Sequence, residues 1–508
     1  MRIKFKNHSF LSYFARSCLL FMACLLVHSC SVPEIDSSII DECSDSHLTL
    51  ADAAPPKLEY IDVYVDGSAS MQGYVGQSTS IYAKLLPELE DQFRFSVQGA
   101  NTKFYRLGKP VNTSISDCYA LIASNNPCKV RIDDLSAAGD TEFYIGGSQK
   151  WPQLTSSIEL AIPLLPEDSA TLEEYVKQSR LSLIITDLEP DDAAVDTLSL
   201  ALKPYFYSNE DFAVGILAVR SGFNGPVFYI KSTEQIERKQ LEQLSTNEKS
   251  RFQYSTNGEG QEQGRPFYIL MIGNRQHVEN YIFSVAEQVR GLMAPVEGSI
   301  FTSSKVVSKY KFVTGTPSSL EGVRKVESIN DGKARLYKEE GVEVFSAQKD
   351  SEKGSISYEA LPVFLDDFYL SPSSEGLKAI NSTVSTLNSD QMRSTEPGFS
   401  EDVSFTDFSV SNQKGGQSQP TFSFSSNVLF DDWEPKAIHL IEADLISSSL
   451  KEADWWEQFD WSTANDFKDG SKTYNISRFL NQLLNLAESS TPDENSIVGK
   501  VCFGVLTK

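Results

Sequence analysis

Apolar residues fall along this chain in two regimes. Up to about residue 293, apolar runs of strand length alternate with segments of helical spacing. The runs EYIDVYVD (59–66), TKFYRLG (102–108), RLSLIITD (180–187), DFAVGILAVRS (211–221) and PFYILMIGN (266–274) predict strands. The segments 80–93, 154–165, 191–206 and 276–292 predict helices, the first interrupted by Pro87. Residues 109–150 read as a long insertion and 247–265 as a polar surface loop. Uninterrupted apolar strands between helices predict an α/β fold with a doubly wound, mostly parallel sheet covered on both faces. Ligand sites in such sheets lie beyond the carboxyl ends of the strands. Asp66 and Asp187 both end their predicted strands and so belong on that edge.

After about Ala294 strand-like runs recur with little helix between them, and many alternate apolar and polar residues as half-buried antiparallel strands do. One helix, 474–489, interrupts them. The expected division is an α/β domain over 58–293 followed by a β-rich, sandwich-like domain over 294–508. The Trp-dense stretch DWWEQFDW (454–461) reads as a short helix whose Trp455, Trp456 and Trp461 pack in a core.

The first residues have a different character. Arg2, Lys4, Lys6 and Arg16 precede the apolar run CLLFMACLLV (18–27), and no acidic residue comes before Glu34. A spanning helix needs about 20 apolar residues, so this run is too short to cross a bilayer and has the form of a secretory signal peptide. It ends in LVHSC (26–30), which resembles the lipobox of bacterial lipoproteins through Val27, Ser29 and Cys30. That resemblance implies removal of residues 1–29, diacylation of Cys30 and an extracytoplasmic, lipid-anchored chain, on the outer membrane in a Gram-negative host. Residues 30–57, rich in Ser, Asp and Pro, read as a flexible tether.

Charge and cysteines narrow the picture. With 45 basic and 69 acidic residues the net charge is -24, a surface that repels nucleic acid and anionic lipid. Of seven cysteines, Cys18 and Cys24 leave with the signal and Cys30 carries lipid. Four remain, which in an exported chain permits two disulfides. Cys118 with Cys128 is the first expected pair, and Cys43 with Cys502 the second.

The stretch DGSAS (66–70) has the form Asp-x-Ser-x-Ser directly after an apolar strand, and IITDLEPD (184–191) supplies a later Asp after another. Together Asp66, Ser68, Ser70 and Asp187 resemble the von Willebrand factor type A family over residues 58–293. That resemblance implies a metal-ion-dependent adhesion site completed by a loop Thr, here Thr155, with Thr141 as its rival and Ser148 behind both. Hydroxyls and carboxylates are hard ligands, suited to Mg²⁺, with Mn²⁺ and Ca²⁺ as alternatives. Few direct carboxylates leave such a cation able to take an acidic side chain from a protein partner. The plain alternative is a strand-exit turn in which Asp66 caps and the Ser side chains bond backbone.

The sequence therefore predicts a membrane-anchored binding or adhesion protein that grips a protein partner through a divalent cation, and not an enzyme. It contains no GxSxG, P-loop or HExxH motif. Two alternatives stay open. One is a metal-dependent phosphohydrolase with Asp66 as nucleophile, although Ser68 stands where its acid/base carboxylate belongs. The other is a structural lipoprotein with a degenerate site.

Overall fold

The computed structural model describes residues 57–77, 80–95, 100–120, 126–148, 150–162, 180–189, 194–208, 211–229, 250–256, 264–303, 317–326, 342–362, 368–387, 398–399, 401–411, 421–461, 469–490 and 496–507. The signal segment, Cys30, Cys43 and all but the last residue of the tether lie outside them.

Strands of the first half are β1 (Tyr60–Asp66), β2 (Asn101–Leu107), β3 (Lys109–Pro110), β4 (Lys129–Ile132), β5 (Leu154–Thr155), β6 (Arg180–Thr186), β7 (Phe212–Ser221), β8 (Asn224–Tyr229), β9 (Ser250–Ser255), β10 (Arg265–Asn274) and β11 (Val296–Thr302). Helices are α1 (Ile81–Phe95), α2 (Ile115–Ala120), α3 (Glu142–Ile145), α4 (Ala194–Ser208) and α5 (Arg275–Gly291). Seven strands form one sheet in the order β11-β7-β10-β6-β1-β2-β4. β1 lies between β2 and β6 and is parallel to both. β10 is antiparallel to β6 and β7, β11 to β7, and β4 to β2. The sheet is thus mixed, which corrects the mostly parallel arrangement expected. A strand buried on both faces is apolar throughout whichever way it runs, so its hydrophobicity carries no direction.

Alternating side chains split between two buried clusters. Ile61, Val63 and Val65 of β1 and Leu183 and Ile185 of β6 share one with Leu85, Leu89 and Phe93 of α1 and Val278 and Ile282 of α5. Tyr64, Ile184, Val214 and Tyr268 share the other with Leu198, Leu202 and Phe206 of α4. Helices therefore cover the sheet from both sides.

The chain beyond residue 293 does not stay apart from this sheet. Val296–Thr302, on the far side of the expected boundary, is one of its two edge strands. Helices α6 (Trp455–Phe459) and α7 (Ile476–Ser489) bring Trp455, Trp456, Phe479, Leu480 and Leu483 into the second cluster. The Trp456 ring sits 5.9 Å from that of Phe301, and its N–H donates to the Ser299 hydroxyl at 3.2 Å. All three tryptophans of the 454–461 stretch are buried.

The rest of this half forms two sheets from β12 (Ser319–Glu321), β13 (Val323–Lys325), β14 (Glu343–Ala347), β15 (Lys353–Pro362), β16 (Leu377–Leu387), β17 (Gly398–Phe399), β18 (Val403–Ser411), β19 (Thr421–Leu429), β20 (Ile438–Ser447) and β21 (Ser496–Leu506). One has the order β12-β15-β19-β18 and the other β13-β14-β21-β20-β16-β17. Phe345, Ile356, Phe422, Phe424, Ile441 and Phe503 belong to one continuous buried cluster. Among the described residues no helix is long and apolar enough to cross a membrane.

Candidate metal centre at the strand ends

Parallel pairing of β1 with β6 brings Asp66 and Asp187 to the same edge, one closing its strand and the other just past it. Both are buried, at 1% and 0% exposure. From Asp66 the chain turns through Gly67, whose amide donates to the Leu107 carbonyl at 2.8 Å. A Cβ at Gly67 would meet Arg106 Cγ and Nε at 2.8 Å, so only glycine lets the turn lie this close to that guanidinium. A 3-10 turn over Ala69–Tyr74 then starts with Ser68 at its N-cap, and the Ser68 side chain makes no capping bond.

The hydroxyls go elsewhere. Ser70 Oγ donates to Asp187 Oδ1 at 3.2 Å, and Ser68 Oγ and Ser70 Oγ are 3.0 Å apart. With the Ser70 proton committed to Asp187, Ser68 is the donor in that pair. Asp66 Oδ1 accepts the Ser68 amide at 2.9 Å, as in an ordinary strand-exit turn. Asp66 Oδ2 accepts the hydroxyls of Ser156 at 2.7 Å and Thr186 at 2.8 Å. Asp187 Oδ1 also accepts the Glu189 amide at 3.2 Å, whereas Asp187 Oδ2 is buried without a hydrogen-bond partner.

Of the five residues expected, Asp66, Ser68, Ser70 and Asp187 come together. Thr155 does not join them: its hydroxyl donates to the Lys109 carbonyl at 3.2 Å, across the β3–β5 pair. The hydroxyl that reaches Asp66 from this loop is that of Ser156, one residue on. Thr141 stands at the N-cap of α3, and the Ser148 hydroxyl accepts the Trp151 amide at 3.0 Å. Nor do the described residues of 154–165 form the expected helix. They hold a two-residue strand and a 3-10 turn, Ile158–Ala161. The Ser156 hydroxyl is spent on Asp66.

The electrostatics show why this edge is costly. Burial pushes the Asp187 carboxyl up to about 6; Arg265 opposes the shift and Asp66 adds to it. Burial likewise pushes Glu159 up to about 7, with its own backbone amide opposing and Asp66 adding. Glu159 Oε2 is a second buried oxygen without a hydrogen-bond partner. Two enclosed guanidiniums offset the carboxylates. Arg106 donates to the carbonyls of Phe143 at 2.8 Å and Gly67 at 3.2 Å, and burial lowers its pKa to about 10. Arg265 is ion-paired with Glu189.

This donor set fits a hard divalent cation. The protons of Ser68, Ser70, Ser156 and Thr186 are all committed to carboxylates or to each other, so the cluster has lone pairs to offer rather than protons. One carboxylate oxygen stays unsatisfied, a state that buried groups avoid. Among the described residues no three His, Cys, Asp or Glu side chains gather into a metal-binding group. The cluster has two carboxylates, and hydroxyls supply its other oxygens.

Thr186 and the charges of Glu159, Glu189, Arg106 and Arg265 also stand at this edge, none of them among the residues expected there. Thr186 carried a usable signal, a hydroxyl directly before the strand-end Asp. The buried arginines carried none: Arg106 lies within a run that reads as an ordinary strand, and Arg265, expected in the 247–265 surface loop, instead opens β10 and is wholly buried.

Elsewhere Cys118 and Cys128 are bonded as paired from the sequence, sulfur to sulfur 2.07 Å, and both are buried. Cys502 is disulfide-bonded too, while its expected partner Cys43 lies outside the described residues. The chain matches no protein-family model, no curated protein and no solved structure.

Proposed function

We propose that this is an extracytoplasmic, lipid-anchored binding protein of the von Willebrand factor A kind. In this reading it holds Mg²⁺, or Mn²⁺ or Ca²⁺, at the strand-end cluster and grips an acidic side chain of a protein partner there. Ser68, Ser70, Asp66 and Asp187 would hold the cation, with Ser156 in the place expected of Thr155. The bound cation supplies positive charge to which a partner's carboxylate can bind. The observation that carries this reading is the use of the two serine hydroxyls. They bond each other and Asp187 instead of capping the turn, and Asp187 Oδ2 beside them has no partner.

Calorimetric titration with Mg²⁺ and Mn²⁺ tests it. One site is expected in the wild-type chain, weakened at least about 10-fold in Ser68→Ala and in Asp187→Asn. Equal binding by wild type and both variants overturns the reading. Capture of partners from membranes in Mg²⁺ and again in EDTA then tests whether binding runs through the cation.

One observation favours a second reading, a structural lipoprotein with a cation-independent cluster. Arg106 acts electrostatically on Asp66, and Arg265 on Asp187, so positive charge is already built in. That reading predicts no metal binding and partner capture that survives EDTA.

A further inference from the structure

Arg265 stands outside the metal motif, yet its wholly buried side chain joins the site to a distant part of the chain. Nη2 is ion-paired with Glu189, two residues past Asp187. Nη1 donates to the carbonyls of Gly470 at 3.0 Å and Lys472 at 3.2 Å. Those residues lie more than two hundred positions further along.

Both ends of this link are constrained. Leu188, between Asp187 and Glu189, has φ 50°, a left-handed conformation costly for a branched side chain. The turn keeps that shape because the Leu188 amide donates to Thr186 Oγ1 at 3.1 Å, the Glu189 amide to Asp187 Oδ1 at 3.2 Å, and Glu189 is held by Arg265. At the other end, Gly470 lies so close to Tyr254 that a Cβ would meet its ring at 2.1 Å. The Thr473 amide donates to the Phe459 carbonyl at 2.8 Å, fastening the segment to α6.

We propose that Glu189 and Arg265 are a positioning pair that couples cation occupancy at Asp187 to the docking of residues 469–473. The inference rests on the metal reading above. Asp187 presents its unpartnered oxygen only while the strained turn is held. The turn is held by a guanidinium whose Nη1 is committed to the carbonyls of Gly470 and Lys472. Anything that lifts that segment leaves Arg265 short of acceptors and frees the turn. By reciprocity, a cation that favours the held turn favours the docked segment.

The test uses the full chain with Mn²⁺ as probe. Calorimetry gives affinity, and hydrogen exchange read on peptides covering 469–474 gives docking. In wild type, saturating Mn²⁺ is expected to slow exchange there several-fold. In Glu189→Gln, Mn²⁺ affinity should fall about 10-fold or more and the Mn²⁺-dependent slowing should vanish. Should Glu189→Gln fail to fold, Arg265→Lys serves, since a single ammonium keeps the charge but loses the forked geometry that serves both sides. Wild-type Mn²⁺ binding with unchanged exchange at 469–474, or wild-type affinity in the variant, overturns the coupling while the metal reading stands. Absence of Mn²⁺ binding to wild type overturns both.

Discussion

Replacing Glu159 by Gln should stabilise this protein, by an amount that grows as pH rises above about 4.5 and is complete above about 7. Glu159 is 3% exposed, and burial pushes its carboxyl from an ordinary 4.5 to about 7. Between those values the folded chain keeps a proton that the unfolded chain has lost. Stability therefore falls as pH rises through that window, and the full cost is present above about 7. The gap of about 2.5, at about 1.36 kcal/mol per pH unit, amounts to roughly 3 kcal/mol. Gln is isosteric with the protonated acid and does not ionise. Below pH 4.5 both states of the wild type are protonated, and the variant should match it.

The measurement is denaturant unfolding followed by tryptophan fluorescence at pH 4.5, 6, 7 and 8 in EDTA, so that no cation offsets the buried charge. The stability difference between Glu159→Gln and wild type should grow from near zero to a few kcal/mol across the series. Asp187 also loses stability as pH rises, from its ordinary 3.8 to about 6. That contribution is common to both proteins and cancels in the difference. A difference that stays constant from pH 4.5 to 8 would refute the reasoning, because Glu159 would then be ionised in the fold at little cost.

Asp66→Ala should destabilise the chain by several kcal/mol, since it strands the Ser68 amide and the Ser156 and Thr186 hydroxyls at about 1–3 kcal/mol each, with Asp66→Asn milder; denaturant unfolding distinguishes them. Trp456→Ala, at a wholly buried position over Phe301, should cost about 3–5 kcal/mol by the same assay. Replacing Cys118 and Cys128 together by Ser opens a link of sequence separation 10 and should cost about 2–3 kcal/mol, read as a lower melting temperature.

Strand and helix positions in the first half were legible because burial on two faces leaves a strong apolar pattern. The runs at 59–66, 180–187, 211–221 and 266–274 match β1, β6, β7 and β10 to within a residue at either end. Helix 276–292 likewise matches Arg275–Gly291. Direction was not legible, since β10 has the same apolar character it would have if parallel. Nor was the return of the chain after residue 450. The apolar face of α7 declares a helix that must be buried, but nothing in its residues says that β11 and α4 are what it covers.

At the strand-end cluster the two carboxylates were legible, whereas the loop hydroxyl that reaches Asp66 is that of Ser156 and not Thr155. Asp66 and Asp187 were both legible as strand-end residues, and they meet because β1 and β6 pair in parallel, which places their carboxyl ends side by side whatever the loops do. The third hydroxyl depends on a loop whose local structure is not periodic. Read as a helix start, residues 154–165 make Thr155 the natural ligand and Ser156 a cap. In the fold Thr155 pairs with Lys109 as a strand residue, and its side chain follows that strand's alternation away from Asp66. The next position in an extended segment points the opposite way, which delivers Ser156 to Asp66 Oδ2 at 2.7 Å. One backbone state therefore decides which of two neighbouring hydroxyls meets Asp66. A buried carboxylate oxygen demands donors, and this loop has hydroxyls at three successive positions, Thr155, Ser156 and Ser157, of which Ser156 is the one that reaches Asp66.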